Sequence, residues 1–266
     1  MLKLTNVTKT FNENTCNEAK ALKDITLEVK NSDFITIIGG NGAGKSTLLN
    51  SIAGVFKLSA GQIILSEKNI TEMPEYKRAN FIGRVFQDPL MGTSPDMTIE
   101  ENLSMALNKS SKLSLKWAMN KKKRTIIKEH LEEINLGLEK RLNTKVKLLS
   151  GGQRQALTLL MATIIEPDLL LLDEHTAALD PATAIKINDL TQKIVSNNNI
   201  TTLMITHNMK DALKFGNRML MMNHGKIIID IDGKTKNNMT INHLLEIFQK
   251  KNKQGFYNDR SLLSLA

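Results

Sequence analysis

Cysteine is almost absent from the chain. Cys16 is the only one, which excludes an intrachain disulfide framework and any zinc site built on cysteines. Long apolar runs are missing too: nothing approaches the roughly 20 consecutive apolar residues needed to cross a bilayer. The first residues, Met1-Leu2-Lys3-Leu4-Thr5-Asn6-Val7, alternate like a strand and lack the apolar centre of a secretion signal. A cytoplasmic protein is therefore expected. There is no internal repeat and no low-complexity tract. Acidic residues are in deficit, and the net charge is +9. The excess is localised, with twelve Lys and Arg against four Asp and Glu between Lys109 and Lys147. Two readings of that segment stand: attraction to an anionic surface such as nucleic acid or the inner face of a membrane, or a solvated helical face. Aromatics are scarce there, Trp117 excepted, whereas single-stranded nucleic-acid surfaces interleave them with the cations.

What is present is enough for a large core. The chain has 266 residues, 41% of them hydrophobic, which bounds it to one large domain or one domain with an inserted subdomain. Residues 1–9 and 22–30 alternate as antiparallel strands, with a polar loop from Asn12 to Lys20 between them. Strands are expected at 34–38, 61–65 and 82–87, the last stopped by Asp88-Pro89. A short helix is expected from Pro74 to Asn80. Residues 90–150 read as helical and lysine-rich, with a capping-type helix start at Thr98-Ile99-Glu100-Glu101 and a long helix over 116–136. Leu169-Leu170-Leu171-Leu172 and Ile200 to Thr206 are apolar runs suited to central parallel strands. Residues 218–222 and 226–230 flank a hairpin turn at Asn223-His224-Gly225. A short amphipathic helix is expected over 240–248 and a weakly ordered tail over 250–266. Strand–helix alternation of this kind predicts an α/β fold with a parallel sheet.

The organising stretch is Gly39-Gly40-Asn41-Gly42-Ala43-Gly44-Lys45-Ser46-Thr47. It follows a buried strand and opens a helix over 46–55, the context a phosphate-binding loop requires. Glycines let successive backbone N–H groups converge on anionic oxygens, and the helix dipole adds to that field. Lys45 offers a mobile cation for β- and γ-phosphates, Ser46 a hydroxyl for Mg²⁺, and Thr47 a contact to the α-phosphate. Such a loop needs a second metal anchor and a group that activates water. Asp173 and Glu174 end the apolar 169–172 run, at the strand end where open α/β sheets bind ligands. Asp173 suits Mg²⁺ and Glu174 suits a general base.

A second motif, Leu149-Ser150-Gly151-Gly152-Gln153, opens a helix expected from about Gln153 to Ile165, again a helix N-terminus shaped for an anion. With it the chain resembles, over residues 1–235, the nucleotide-binding subunits of ATP-binding cassette (ABC) transporters. The resemblance implies a P-loop NTPase core, RecA-like, with an N-terminal antiparallel β subdomain and an inserted α-helical subdomain. It implies an ATPase domain over 1–248, with the helical insertion at about 89–157, and a tail over 249–266. Gln87 then matches the Q-loop glutamine, which senses Mg²⁺ and water. Ala178-Leu179-Asp180 matches the D-loop, His207 the switch histidine at the γ-phosphate, and Phe11 the aromatic that stacks on adenine. ATP and Mg²⁺ are the implied cofactors. The implied partners are a second copy of the chain, packed head to tail so that each ATP lies between one phosphate loop and the other copy's signature, and integral membrane permease subunits. The place implied is cytoplasmic, peripheral on the inner face of the membrane.

Three departures from the family pattern stand out. His175 occupies a position where many relatives have Pro; it either titrates near the site or fills a turn. Arg154-Gln155-Ala156-Leu157 replaces a more arginine-rich helix start. Ser32 stands where Gly usually precedes the strand. The first two, with Val85-Phe86-Gln87-Asp88-Pro89-Leu90-Met91-Gly92-Thr93, resemble a subgroup of importer ATPases. That subgroup is paired with extracytoplasmic substrate-binding proteins, some of them for aromatic amino acids. The alternatives are a soluble ABC ATPase acting on nucleic acid or ribosomes, or an exporter subunit. No specific nucleic acid is expected as a partner. The nucleic-acid members carry tandem cassettes, long coiled coils or zinc cysteines, none of which this chain has.

Overall fold

A computed structural model describes residues 1–108 and 121–252. In chain order its elements are β1 (Leu2–Phe11), β2 (Ala19–Val29), β3 (Phe34–Ile38), α1 (Lys45–Ala53), β4 (Ala60–Leu65), β5 (Lys68–Asn69), α2 (Glu75–Arg78), β6 (Ile82–Val85), α3 (Ile99–Leu107) and α4 (Lys121–Ile134). They continue with α5 (Gly151–Thr163), β7 (Leu169–Asp173), α6 (Pro181–Asn197), β8 (Thr201–Ile205), α7 (Met209–Lys214), β9 (Arg218–Asn223), β10 (Lys226–Asp232), α8 (Gly233–Asn237) and α9 (Ile241–Asn252). The chain divides into two compact units, Met1–Ala79 with Asn199–Ala266, and Asn80–Asn198.

The first unit holds an antiparallel sheet ordered β2-β1-β4-β5 and a second set of strands around β3. β3 pairs in parallel with β8 on one side and β9 on the other. All five residues of β3 and of β8 are buried, as expected for strands covered on both faces. β10 returns antiparallel to β9. Their turn is His224-Gly225, both at positive φ (45° and 78°), the type I′ geometry that matches strand twist. Ser32 sits at φ 62°. A glycine would take that left-handed conformation without the strain a Cβ brings, on the order of 1 kcal/mol; here the Ser32 N–H donates to Thr201 Oγ1 at 3.1 Å. Below β9, Met219, Met221, Ile229, Ile231, Met209 and Leu244 form an apolar cluster that seats α7 and α9.

The second unit pairs β6 and β7 in parallel, Ile82 to Val85 against Leu169 to Leu172. The helices α3 to α6 share one apolar cluster that includes Ile99, Leu103, Ile127, Leu131, Leu157 and Ile187. The spacing Ile127, Leu131, Ile134 puts one apolar stripe of α4 inward, while Lys122, Arg124 and Lys128 are exposed. Within the described part of the basic segment this is a solvated face, with local pairs such as Arg124–Glu100 at 3.2 Å and Lys147–Asp96 at 2.6 Å.

Several boundaries differ from expectation. The polar loop is shorter than 12–20, because Ala19 and Lys20 already pair with Phe11 and Thr10. The strand expected to reach Gln87 stops at Val85. There the Asp88 carboxylate turns from the sheet to cap a short 3-10 turn at Pro89–Gly92. The helix over 116–136 is described from Lys121 and ends at Ile134, where Asn135 takes φ 55°; 116–120, like Trp117, lie outside the described residues. α9 runs on to Asn252, so the first residues of the expected tail are helical and 253–266 lie outside the described residues. The helix α6, 17 residues long, was not foreseen, although Asp180-Pro181 is a strong start signal.

Candidate nucleotide site

The phosphate loop leaves β3 and enters α1. Gly44 is the N-cap of α1, at φ 97°. A Cβ there would lie 2.7 Å from the Ala21 carbonyl oxygen, so both backbone angle and space demand glycine. Its N-cap residue, being glycine, supplies no side-chain cap. The loop is braced from behind: Gly225 N–H donates to the Ala43 carbonyl at 3.0 Å, and Lys23 N–H to the Gly225 carbonyl at 2.8 Å. Lys45 is buried and its Nζ donates to the carbonyls of Gly39 (2.8 Å) and Gly40 (3.1 Å). The ammonium thus curls back onto the start of the loop, at Gly39 and Gly40. Ser46 is exposed and Thr47 half-buried on the first turn of α1.

Two further candidates belong to the same unit. Phe11 ends β1, half-buried, with its ring edge-on to Phe56 at a centroid distance of 5.1 Å and the Lys9 ammonium 5.0 Å from its centroid. His207 follows β8 and is half-buried. Its neighbour Asn208 caps α7, accepting from Lys210 N–H at 2.8 Å and Asp211 N–H at 3.3 Å, which sets the chain direction at His207.

The other candidates belong to the second unit. Gln87 is exposed just past β6. Asp173 is the last residue of β7 and half-buried. Glu174 follows at φ 49°, a left-handed conformation that costs a non-glycine residue about 1–3 kcal/mol and needs its surroundings to hold it. A turn closes behind it, Ala177 N–H donating to the Glu174 carbonyl at 2.9 Å. His175 is fully inside, and burial pushes its imidazole down to about 4. The ring is neutral at physiological pH, which favours the turn-anchoring reading over titration.

The signature differs from expectation in one respect. α5 begins at Gly151, two residues earlier than Gln153, because Ser150 caps it. Ser150 Oγ accepts from Gln153 N–H, and Gln153 Oε1 accepts from Ser150 N–H, both at 3.3 Å. Arg141 Nη1 reaches the same Gln153 Oε1 at 3.5 Å. Arg154 Nη2 holds the preceding turn through the carbonyls of Lys147 and Leu149, each at 3.2 Å. The signature and the D-loop are brought together: a Cβ on Gly152 would lie 2.4 Å from Thr183 Cγ2, so α5 and α6 touch there through a glycine. Asp180 in turn caps α6, accepting from Thr183 N–H at 3.0 Å. The hydrogen bonds from Thr183 hold its carboxyl below the usual range. Arg141 and Thr183 were not singled out in the sequence; the spacing of neither reveals its contact.

Among the described residues no group of three or more His, Cys, Asp and Glu could hold a metal. The donors proposed from the sequence are a hydroxyl (Ser46), a carboxylate (Asp173) and an amide oxygen (Gln87). These hard oxygens match Mg²⁺, which keeps waters and takes substrate phosphate oxygens for the rest of its shell.

A phosphate loop between a buried strand and a helix, with a carboxylate pair ending a parallel strand, defines an α/β P-loop ATPase. The ABC transporter family model matches residues 22–177, and the chain belongs to that family. It is 48% identical over 250 residues, covering 94% of this chain and 99% of the relative, to a tyrosine transport ATP-binding protein of Clostridioides difficile strain R20291. It is 34% identical to the energy-coupling factor transporter ATP-binding protein EcfA2 of Clostridium tetani, over 86% of this chain and 78% of that one. Among solved structures, the cassette MJ0796, a dimer in a post-hydrolysis state with ADP and Pi, superposes with a TM-score of 0.75 at 30% identity, covering 88% of this chain and 99% of that one. The chain is therefore an ATP-hydrolysing subunit of the kind that energises ABC transport. No helix among the described residues is long and apolar enough to cross a membrane.

Proposed function

We propose that this chain is the ATPase of an importer whose cargo is a small solute, an amino acid of the aromatic class. One observation carries the reading: its 48% identity to a tyrosine transport ATP-binding protein extends along nearly the full length of both chains. The cargo itself would be selected by other chains, an integral membrane permease and an extracytoplasmic substrate-binding protein. This subunit would sit peripherally on the inner membrane face. It would act as one cassette over residues 1–248, with a helical subdomain inserted at about 89–157 and a tail over 249–266.

Two copies would pack head to tail about a two-fold axis, a reading that the dimeric cassette among the relatives supports. Each ATP would meet the phosphate loop of one copy and the signature of the other. Backbone N–H groups of Gly39–Thr47 take the phosphate oxygens, and Lys45 exchanges the Gly39 and Gly40 carbonyls for the β- and γ-phosphates. Thr47 takes the α-phosphate and Phe11 the adenine. Ser150, Gly151, Gly152 and Gln153 approach the γ-phosphate from across the interface, beside Asp180. Mg²⁺, when bound, offsets charge on the β- and γ-phosphates, and Ser46, Asp173 and Gln87 would hold it. Glu174 accepts the proton of the attacking water as the bond to ADP breaks, and His207 contacts the γ-phosphate. Contacts present only in the closed dimer make ATP favour closure and hydrolysis reverse it.

The test is a pulldown from the membrane fraction with tagged Glu174→Gln protein and ATP–Mg²⁺. Loss of the base with binding intact should trap the closed dimer and recover a polytopic permease. Recovery of ribosomes or nucleic acid with no membrane protein would overturn the transporter reading of this chain.

A further inference from the structure

The turn that carries Glu174 has an anchor of its own. His175 Nε2 lies 3.1 Å from Thr191 Oγ1, and both residues are almost wholly buried, at 2% and 1% exposure. The Thr191 hydroxyl has one proton and donates it to the Ile187 carbonyl at 2.8 Å. It can therefore only accept from the ring, so Nε2 carries the hydrogen and the neutral tautomer is determined. Thr191 lies in the body of α6, about three turns beyond the Asp180 cap. The stretch from Glu174 to Asp180 is thus tied at three points: to β7 through Asp173, to α6 through the Asp180 cap, and to the middle of α6 through His175.

We infer that His175 is a positioning residue for ATP hydrolysis, its hydrogen bond to Thr191 holding the turn that keeps Glu174 in its left-handed backbone conformation. Glu174 at φ 49° is not where an unconstrained glutamate rests. Residue 175 is the next in the chain, so the plane of the peptide that joins them is set partly by where the imidazole is fixed. Lose the bond, and the backbone can relax toward an ordinary φ, swinging the carboxylate away from the water it must deprotonate. Ala177 and Ala178 of the same turn are exposed and apolar, and its backbone bonds, Ala177 N–H to the Glu174 carbonyl and Leu179 N–H to the Thr176 carbonyl, tie the turn only to itself. The inference rests on the proposed role of Glu174.

The experiment measures steady-state ATPase activity and nucleotide affinity of the full chain carrying His175→Leu, His175→Gln, Thr191→Val or Thr191→Ser. Leu and Val keep bulk and lose the bond, and Gln and Ser keep a donor or acceptor at nearly the same place. Expected is a fall in kcat of about tenfold or more for His175→Leu and Thr191→Val, with KM and ATP affinity within twofold of the unmodified chain. Gln and Ser should recover kcat to within about threefold, and the Leu/Val pair should cost no more than either change by itself. Should His175→Leu not fold, the Thr191 pair carries the same comparison. Full kcat in Thr191→Val overturns the inference, as does a loss that Ser fails to restore. Glu174→Gln in the same assay separates the two ideas. If it hydrolyses ATP at the normal rate, the assignment of the base has failed; if it is inactive while Thr191→Val is fully active, only the anchor has failed.

Discussion

Two helix N-termini that the sequence offers to phosphate are built in opposite ways. α1 starts at a left-handed glycine with no side-chain cap, and a buried lysine folds over the loop in front of it. α5 starts at Ser150 with a complete capping box, its orphan N–H groups served partly by its own residues. α3 uses the same box, Thr98 with Glu101, for ordinary structure. The α1 end thus takes no capping bond from its own N-cap residue. The α5 end is capped by residues of its own chain, and in the proposed dimer part of that capping would be given up to an incoming phosphate. That difference suits a site in which one half binds ATP first and the other half arrives with the second copy.

The largest expected effect breaks the comparison at α1. Lys45→Ala should weaken ATP binding by about 100-fold or more, since a charge-assisted contact to phosphate is lost. Titration with a fluorescent nucleotide checks it, and unchanged affinity would remove Lys45 from the phosphate site. Ser150→Ala sharpens the contrast with a smaller effect. It should leave nucleotide binding to the isolated chain within about twofold, lower stability by about 1 kcal/mol through the lost cap, and lower ATPase turnover about tenfold because the dimer site needs that hydroxyl. Urea unfolding and a turnover assay read the two separately, and an equal loss of monomer binding would put Ser150 in the first half of the site.

An effect on stability alone, and so the smallest on function, concerns the opposite end of a helix. Lys236 is buried and donates to the carbonyls of Phe215 and Gly216, just past α7. Burial pushes its ammonium from 10.5 down to about 8. Between those two values the unfolded chain holds a proton that the folded chain has released, so this group's contribution to stability rises with pH across that window. Relative to Lys236→Met, the native protein should gain up to about 2 kcal/mol between pH 8 and 10.5, as read from urea midpoints. Parallel curves for the two proteins would show that the lysine keeps its proton inside.

Many residues of the candidate site stand out in the sequence because their chemistry is local. Gly44 is demanded by one backbone angle, Lys45 follows it, and Asp173 and Glu174 end a run of leucines that can only be an interior strand. Legibility fell where a side chain on one element sets the limit of another. The start of α5 at Gly151 depends on the Ser150–Gln153 exchange. α6 lies outside the expected elements although Asp180-Pro181 announces it, because its buried face is half polar: Ile187 and Val195 share it with Asn188 and Thr191. The expected strand over 82–87 ends at Val85: Phe86 has the composition of a strand residue, but its ring lies under the Arg84 guanidinium at 4.4 Å.

By itself the sequence determined the class of fold, the family and a nucleotide-binding ATPase, and it nominated the groups that could touch the nucleotide. Motifs of this sort are short stretches whose backbone geometry and donors are specified by adjacent residues. Only the tertiary structure decided which of those groups are held and by what: Lys45 by two loop carbonyls, Gly152 against Thr183, Gln153 beside Arg141, and the turn behind Glu174 by a histidine bonded sixteen positions away. Such contacts join residues far apart in the chain through packing, and packing depends on the summed shape of the core, which no local pattern encodes.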